Sequence, residues 1–241
     1  MDVDGHLGHL QADAAALVAA AGGAGFDAAI PHLDWTVRDL LVHIGGVHRF
    51  AADIVAEART SLDTEAARAV GTGPADEELS DWVNTGAAHL LETLRAAPPD
   101  LGCAVFFPAP SPLAFWTRRQ ALETAVHRVD AQAAAGNVTP LATDLAQDGI
   151  AEVLLGFAAA RRSLHAERAT IALRPDDGPS WLVRLGERVD AAQQEGDGDL
   201  VVAGSSSDVY LWAWNRPSGA RLRGDESLAQ LWTRRMRVRW T

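Results

Sequence analysis

A glutamate and a histidine four residues apart, Glu123 and His127, fall on one face of a helix, within about 40° of each other. Asp130 follows three residues later, and Trp116 and Gln120 precede them on the same stripe. Polar groups on a core-facing stripe are costly unless something compensates their burial, and a divalent cation is one such compensation. Helices also place Glu and His four apart by chance, so spacing alone leaves a solvated pair as the plainer reading. His43 lies within a second apolar stripe with Leu40, Val47 and Phe50. Taken alone it reads as a core histidine bonded to a backbone carbonyl. Taken with Glu123 and His127 it completes two imidazoles and one carboxylate, a ligand set with open positions. That set suits Zn²⁺ with a bound water or Fe²⁺ in a facial triad.

Other polar residues carry less. His48 is five residues from His43, roughly 140° round the helix, so it cannot be a ligand on the same face. It reads as a surface histidine, with lining of the cleft as the alternative. His6, His9, His32, His89 and His165 have no evident partners in the sequence. Cys103 is the single cysteine, so no internal disulfide is available, and its apolar loop suggests a buried, inert thiol. Gly204-Ser205-Ser206-Ser207 precedes a helical segment and reads as an N-cap, with anion binding as the alternative.

The elements that must position these residues are mostly helices. Asp4 is the expected cap of a first helix reaching about Ala21, before Gly22-Gly23-Ala24-Gly25. Thr36 and Asp39 form a capping-box-like start to a second, over about Val37 to Arg59. Gly71-Thr72-Gly73-Pro74 is a loop, and a third helix runs from near Asp76 or Ser80 to Ala97, closed by Pro98-Pro99. After an apolar loop over Leu101 to Pro110, Ser111-Pro112 opens a fourth helix that reaches about Ala135, before Gly136-Asn137. Four long amphipathic helices predict a bundle over 1–142.

A small α+β domain is expected over 143–241, so the fold class is α+β. It begins with a helix over about Asp144 to Leu164. Strands over Thr170 to Leu173 and Trp181 to Leu185 flank the turn Pro175 to Pro179, and Asp199 to Ala203 is a third. Ser205 to Trp214 and Ser227 to Trp232 read as helical, and Arg235 to Trp240 alternates like a half-buried strand.

Across 241 residues, hydrophobic side chains are 48% and charged ones 22%, ordinary values for a folded chain. The formal net charge of -11 repels phosphate backbones and anionic headgroups, so nucleic acid and membrane surfaces are poor partners. No stretch approaches a spanning length, and Met1-Asp2-Val3-Asp4 lacks a signal-peptide layout, so a soluble cytoplasmic protein is expected. All 21 basic residues are arginine, which with abundant alanine fits a high-GC genome better than a demand for bidentate pairing.

Two motifs carry a resemblance. Trp35-Thr36-Val37-Arg38-Asp39-Leu40-Leu41-Val42-His43, followed by Gly45-Gly46-Val47-His48-Arg49, resembles mycothiol-dependent maleylpyruvate isomerases of the DinB-like helical-bundle superfamily. So does the run from Arg118 to Asp130, while Leu173 to Gly178 and Gly204 to Asp208 look like that family's C-terminal domain. The resemblance implies a divalent metal, usually zinc, held by His43, Glu123 and His127. It implies Asp130 as a catalytic or orienting carboxylate, and His48 and Arg119 are the candidates for substrate or thiol binding. It also implies an arginine of the C-terminal domain at the site, for which Arg216 is the candidate. Leu122 departs from many relatives, which have histidine there, without touching the ligand set.

The cosubstrate the family implies is mycothiol, a low-molecular-weight thiol of certain high-GC bacteria. Its metal-held thiolate adds to an activated double bond, the resulting single bond rotates, and elimination returns the trans isomer. With another electrophile the adduct is released, which is thiol S-transfer. An arginine grips a substrate carboxylate, and Asp130 orients a ligand or forms a salt bridge to an arginine. The alternatives are hydrolysis by metal-bound water on the same bundle and a non-enzymatic binding or regulatory protein. The identity of the electrophile, the metal in vivo, and monomer against homodimer stay open at this point.

Overall fold

The computed structural model describes residues 1–62, 73–160, 164 and 168–236. Residues 1–139 and 140–241 form two compact units. In the first, α1 (Val3–Ala24) is capped by Asp2, whose carboxylate accepts the Gly5 N–H at 2.8 Å. Asp4, the expected cap, lies instead inside the first turn, where its charge faces the positive end of the helix. The helix stops at Gly25, whose φ of 86° suits a residue without a Cβ.

The capping box at the start of α2 (Val37–Ala56) forms in both directions. Thr36 Oγ1 accepts the Asp39 N–H at 3.2 Å, and Asp39 Oδ2 accepts the Thr36 N–H at 2.8 Å. Thr36→Ala is expected to cost about 1 kcal/mol, read as a lowered midpoint in chemical denaturation. The helix ends three residues before the expected Arg59. Ala58 turns left-handed at φ 47°, and the Arg59 N–H returns to the Ile54 carbonyl at 3.0 Å.

Helix α3 (Asp76–Ala96) is followed by the two prolines, and α4 (Pro112–Ala134) starts on Ser111, whose Oγ accepts the Ala114 N–H at 3.1 Å. Helix α1 packs along α4 and α2 along α3. Leu17, Ile30, Leu40, Ile44 and Val83 share one core, with Ala131 of α4 joining them. Close approach of α2 to α3 depends on Gly45, since a Cβ there would run into the Trp82 ring.

The second unit opens with α5 (Thr143–Glu152), which widens into a π-helical turn over Val153–Ala158 rather than continuing as one α-helix. The sheet contains β1 (Ala169–Pro175), β2 (Trp181–Leu185), β3 (Asp190–Gln193), β4 (Leu200–Gly204) and β5 (Arg221–Gly224). Its order is β3-β2-β1-β4-β5, with β1 and β4 parallel and the other pairs antiparallel. The β1–β2 hairpin pairs Leu173 with Trp181 and Ala169 with Leu185. Helix α6 (Ser206–Ala213) follows β4, and α7 (Glu226–Arg235) follows β5.

Arg235 therefore ends a helix and does not start a strand. Residues 237–240 of that expected strand, His165, Gly71 and Thr72, and most of 161–164 lie outside the described residues. The serine run at 205–207 is an N-cap, because Ser205 Oγ accepts the Asp208 N–H at 3.1 Å. The anion at that helix start is the protein's own Asp177, which accepts the Ser206 N–H at 2.6 Å. Among the described residues, no helix is long and apolar enough to cross a membrane.

Candidate metal centre

Helix α4 is buried from Phe115 to Gln132 apart from Arg118. Such a helix is normally apolar all round, yet this one carries Arg119, Gln120, Glu123, Thr124, His127, Arg128 and Asp130 inside. Burial on this scale demands partners for every charge. Arg128 finds Asp13 at 2.8 Å, Gln132 Oε1 at 2.6 Å and Thr139 Oγ1 at 2.7 Å, a structural tie of α4 to α1 and to the residues just after it.

The remaining polar groups converge. One ligand atom each from His43, Glu123 and His127 lies within 4.8 Å of the other two. Glu123 Oε1 stands 3.3 Å from Nε2 of His43 and 3.3 Å from Nε2 of His127. The capping box fixes where α2 starts and hence the height of His43, seven residues in. The i, i+4 spacing on α4 supplies the other two members of the cluster.

Around the three, Glu123 and His127 are each held by a further partner. Glu123 Oε2 accepts from Arg119 Nη2 at 2.8 Å. His127 Nδ1 donates to Asp130 Oδ2 at 2.9 Å, which leaves Nε2 as the nitrogen facing Glu123. Trp35 covers the two imidazoles, with its ring centroid 5.0 Å from His43 and 6.1 Å from His127. The His43 side chain keeps 16% of its surface exposed, against 9% for Glu123 and 7% for His127, so access to the cluster is from the His43 side.

These residues fit a divalent ion. On a tetrahedral ion with bonds of about 2.0–2.1 Å, neighbouring ligand atoms lie roughly 3.3 Å apart, the separation found at Glu123. The electrostatics also call for positive charge there. Burial alone would raise Glu123, but Arg119, His127 and His43 hold it well below the ordinary carboxylate value. Burial alone would lower His127, but Asp130 and Glu123 outweigh it and favour the cationic ring. Burial lowers His43, which keeps its imidazole neutral and available as a ligand.

His48 is not a surface residue. It is 0% exposed, with Nε2 2.9 Å from Thr124 Oγ1, and burial holds it at about 3. Arg119 is likewise buried, at 1% exposure, and directed at Glu123. Both side chains are spent inside the protein: His48 ties α2 to α4 through Thr124, and Arg119 pairs with Glu123 one turn along its own helix.

His48 has a pH consequence. Its folded value lies below the ordinary 6.5, so between about 3 and 6.5 the unfolded chain binds a proton that the folded one does not. Stability from this group is present above 6.5 and is lost as pH falls through that window, by a few kcal/mol in all. His48→Gln is expected to flatten the denaturation midpoint against pH between those limits.

Asp130 bonds two histidines, His127 and His32, the second through His32 Nε2 at 2.7 Å. The sequence offered no sign of His32 as a partner, since it lies in a loop 98 positions away. Arg216 belongs to the second unit, where its Nη1 donates to the Trp214 carbonyl at 3.1 Å. Cys103 is half-buried, and burial pushes its thiol up, with Trp116 opposing, as an inert thiol requires.

The chain is similar to known proteins over most of its length. The mycothiol maleylpyruvate isomerase N-terminal domain model matches residues 7–132, and the C-terminal domain model of the same family matches 144–231. The crystal structure of a mycothiol-dependent maleylpyruvate isomerase is similar with a TM-score of 0.64 and 15% identity, covering 92% of this chain and 93% of that one. A histidine-to-alanine mutant of such an isomerase is similar at 0.66 and 16%, with the same coverage. At that identity the likeness establishes a common fold. No protein of curated function matches by sequence.

Proposed function

Because the chain belongs to the mycothiol maleylpyruvate isomerase family, we propose that it is a metal-dependent enzyme using mycothiol as its thiol cosubstrate. Its reaction is isomerisation about an activated carbon–carbon double bond, or transfer of the thiol to a related electrophile. The observation that carries this reading is the convergence of His43, Glu123 and His127 on one point inside a helix bundle. A divalent ion held there, zinc by the chemistry of the donor set, supplies a Lewis-acid position at which a thiol is kept as thiolate near neutral pH.

The chain's own residues prepare that position. Asp130 accepts from His127 Nδ1 and so leaves Nε2 as the nitrogen that would face a metal. Arg119 keeps Glu123 ionised in spite of its burial. Trp35 shields the two imidazoles from water on one side. Arg216 is our candidate for the grip on a substrate carboxylate. For Arg216→Met we expect KM for the electrophile to rise while zinc uptake is unchanged, measured by steady-state kinetics beside metal analysis.

The testing experiment pairs metal content with thiol dependence. About one equivalent of zinc in the purified protein, with cis-to-trans conversion of an activated double bond only when thiol is added, is the expected result. Turnover that needs metal but not thiol would replace this reading with hydrolysis. Protein that neither carries nor takes up zinc would leave a binding protein.

A further inference from the structure

The loop between α1 and α2 contributes a side chain that the ligand set does not account for. His32 Nε2 lies 2.7 Å from Asp130 Oδ1, while Oδ2 of the same carboxylate accepts from His127 Nδ1 at 2.9 Å. Asp130 is 0% exposed, so bulk water does not reach either oxygen. The other ring nitrogen of His32, Nδ1, is buried and has no hydrogen-bond partner among the described residues. A proton there would face no acceptor, so the contacts fit the tautomer with the proton on Nε2, donated to Asp130.

The loop is built to hold that ring in place. Ile30, 1% exposed, anchors it in the bundle core. The Ile30 N–H donates to the Trp35 carbonyl at 2.9 Å, and the Leu33 N–H donates to the Ile30 carbonyl at 3.1 Å. The Val37 N–H closes back onto the Ala28 carbonyl at 2.9 Å. His32 therefore sits in a turn closed on both sides. The same turn delivers Trp35 against His43 and His127.

We propose that His32 is a positioning residue for the metal centre, holding Asp130 so that its second oxygen fixes the tautomer and ring orientation of His127. A carboxylate bonded at one oxygen only can still rotate about its side-chain torsions. Bonded at both, from two different elements, it has one orientation, and His127 inherits it. Loss of His32 removes this donor from the buried Asp130 Oδ1, and with it one of the restraints on the carboxylate that His127 depends on.

This inference rests on the metal reading above, and its test separates the two. Zinc affinity is measured by chelator competition on the full chain for wild type, His32→Ala and His32→Gln. The cobalt forms supply visible spectra, and melting of the metal-free proteins supplies a control for the fold. We expect His32→Ala to weaken zinc binding about ten- to a hundredfold and to alter the cobalt spectrum. His32→Gln, whose amide N–H reaches the position of the imidazole Nε2, should recover most of both.

Equal zinc affinity and an unchanged cobalt spectrum in His32→Ala would overturn the proposal. So would equal losses in both variants that track a lowered metal-free melting temperature, which is the mark of a purely structural role. Wild-type protein that takes up no zinc overturns the metal reading itself, a failure visible before any variant is made.

Discussion

His43→Gln should empty the metal centre and remove thiol-dependent turnover while leaving the metal-free fold close to wild-type stability. The side chain is the most exposed of the three ligands, and Glu123 at 3.3 Å keeps Arg119 and His127 as partners after His43 is gone. Losing the Lewis-acid position removes several kcal/mol of charge stabilisation, on the order of 10³-fold in kcat/KM. Glu123→Gln should abolish metal uptake as completely but also lower the metal-free melting temperature, because the buried Arg119 guanidinium loses its carboxylate. Metal analysis and calorimetry on the two variants check this. Zinc retained at one equivalent by His43→Gln would remove His43 from the ligand set.

What made the clustered residues legible was helical arithmetic. Glu123 and His127 announce themselves because a 3.6-residue period puts them on one face, and His43 because it interrupts an apolar stripe. Neither spacing says that the two faces meet; that depends on α2 and α4 packing in the right register, which is a tertiary fact. His48 was misplaced for the same reason. Its angle from His43 was right, but α4 closes over that side of α2 and places Thr124 against it. His32 carried no signal at all, since a loop residue has no period from which a face can be read.

The fold divides along the same line. Helices α1, α2 and α4 start on capping side chains, and α1 and α4 stop before glycines, so Thr36, Ser111 and Gly136 mark boundaries by their own chemistry. Strands β3 and β5 lacked any such mark. Asp190–Gln193 and Arg221–Gly224 are four-residue edge strands without β-branched residues, and they are strands because β2 and β4 offer them hydrogen bonds. The π-helical turn after Glu152 is equally invisible, because Val153–Ala158 is an apolar run that suits an unbroken α-helix.

Arg119→Met should destabilise the metal-free protein by about 3–5 kcal/mol, and zinc should restore much of the loss. Arg119 and Glu123 are 1% and 9% exposed at their side chains, so their attraction is little screened and neither charge has water to fall back on. Methionine keeps much of the stem volume and removes the charge together with its hydrogen bonds. In the wild type Glu123 is held well below 4.5, so its contribution to stability is present above that value and is lost only as pH falls through its folded value. Without Arg119 the opposition to burial rests on His127 and His43, the carboxyl rises, and that contribution shrinks at neutral pH. A divalent ion at the same carboxylate replaces the missing cation, so the zinc form of the variant should lose far less than its metal-free form. Calorimetry of the variant with and without zinc reads this directly. An Arg119→Met protein equally destabilised in both states would mean that the guanidinium supports the packing of α4 and does not serve to keep Glu123 charged for a metal.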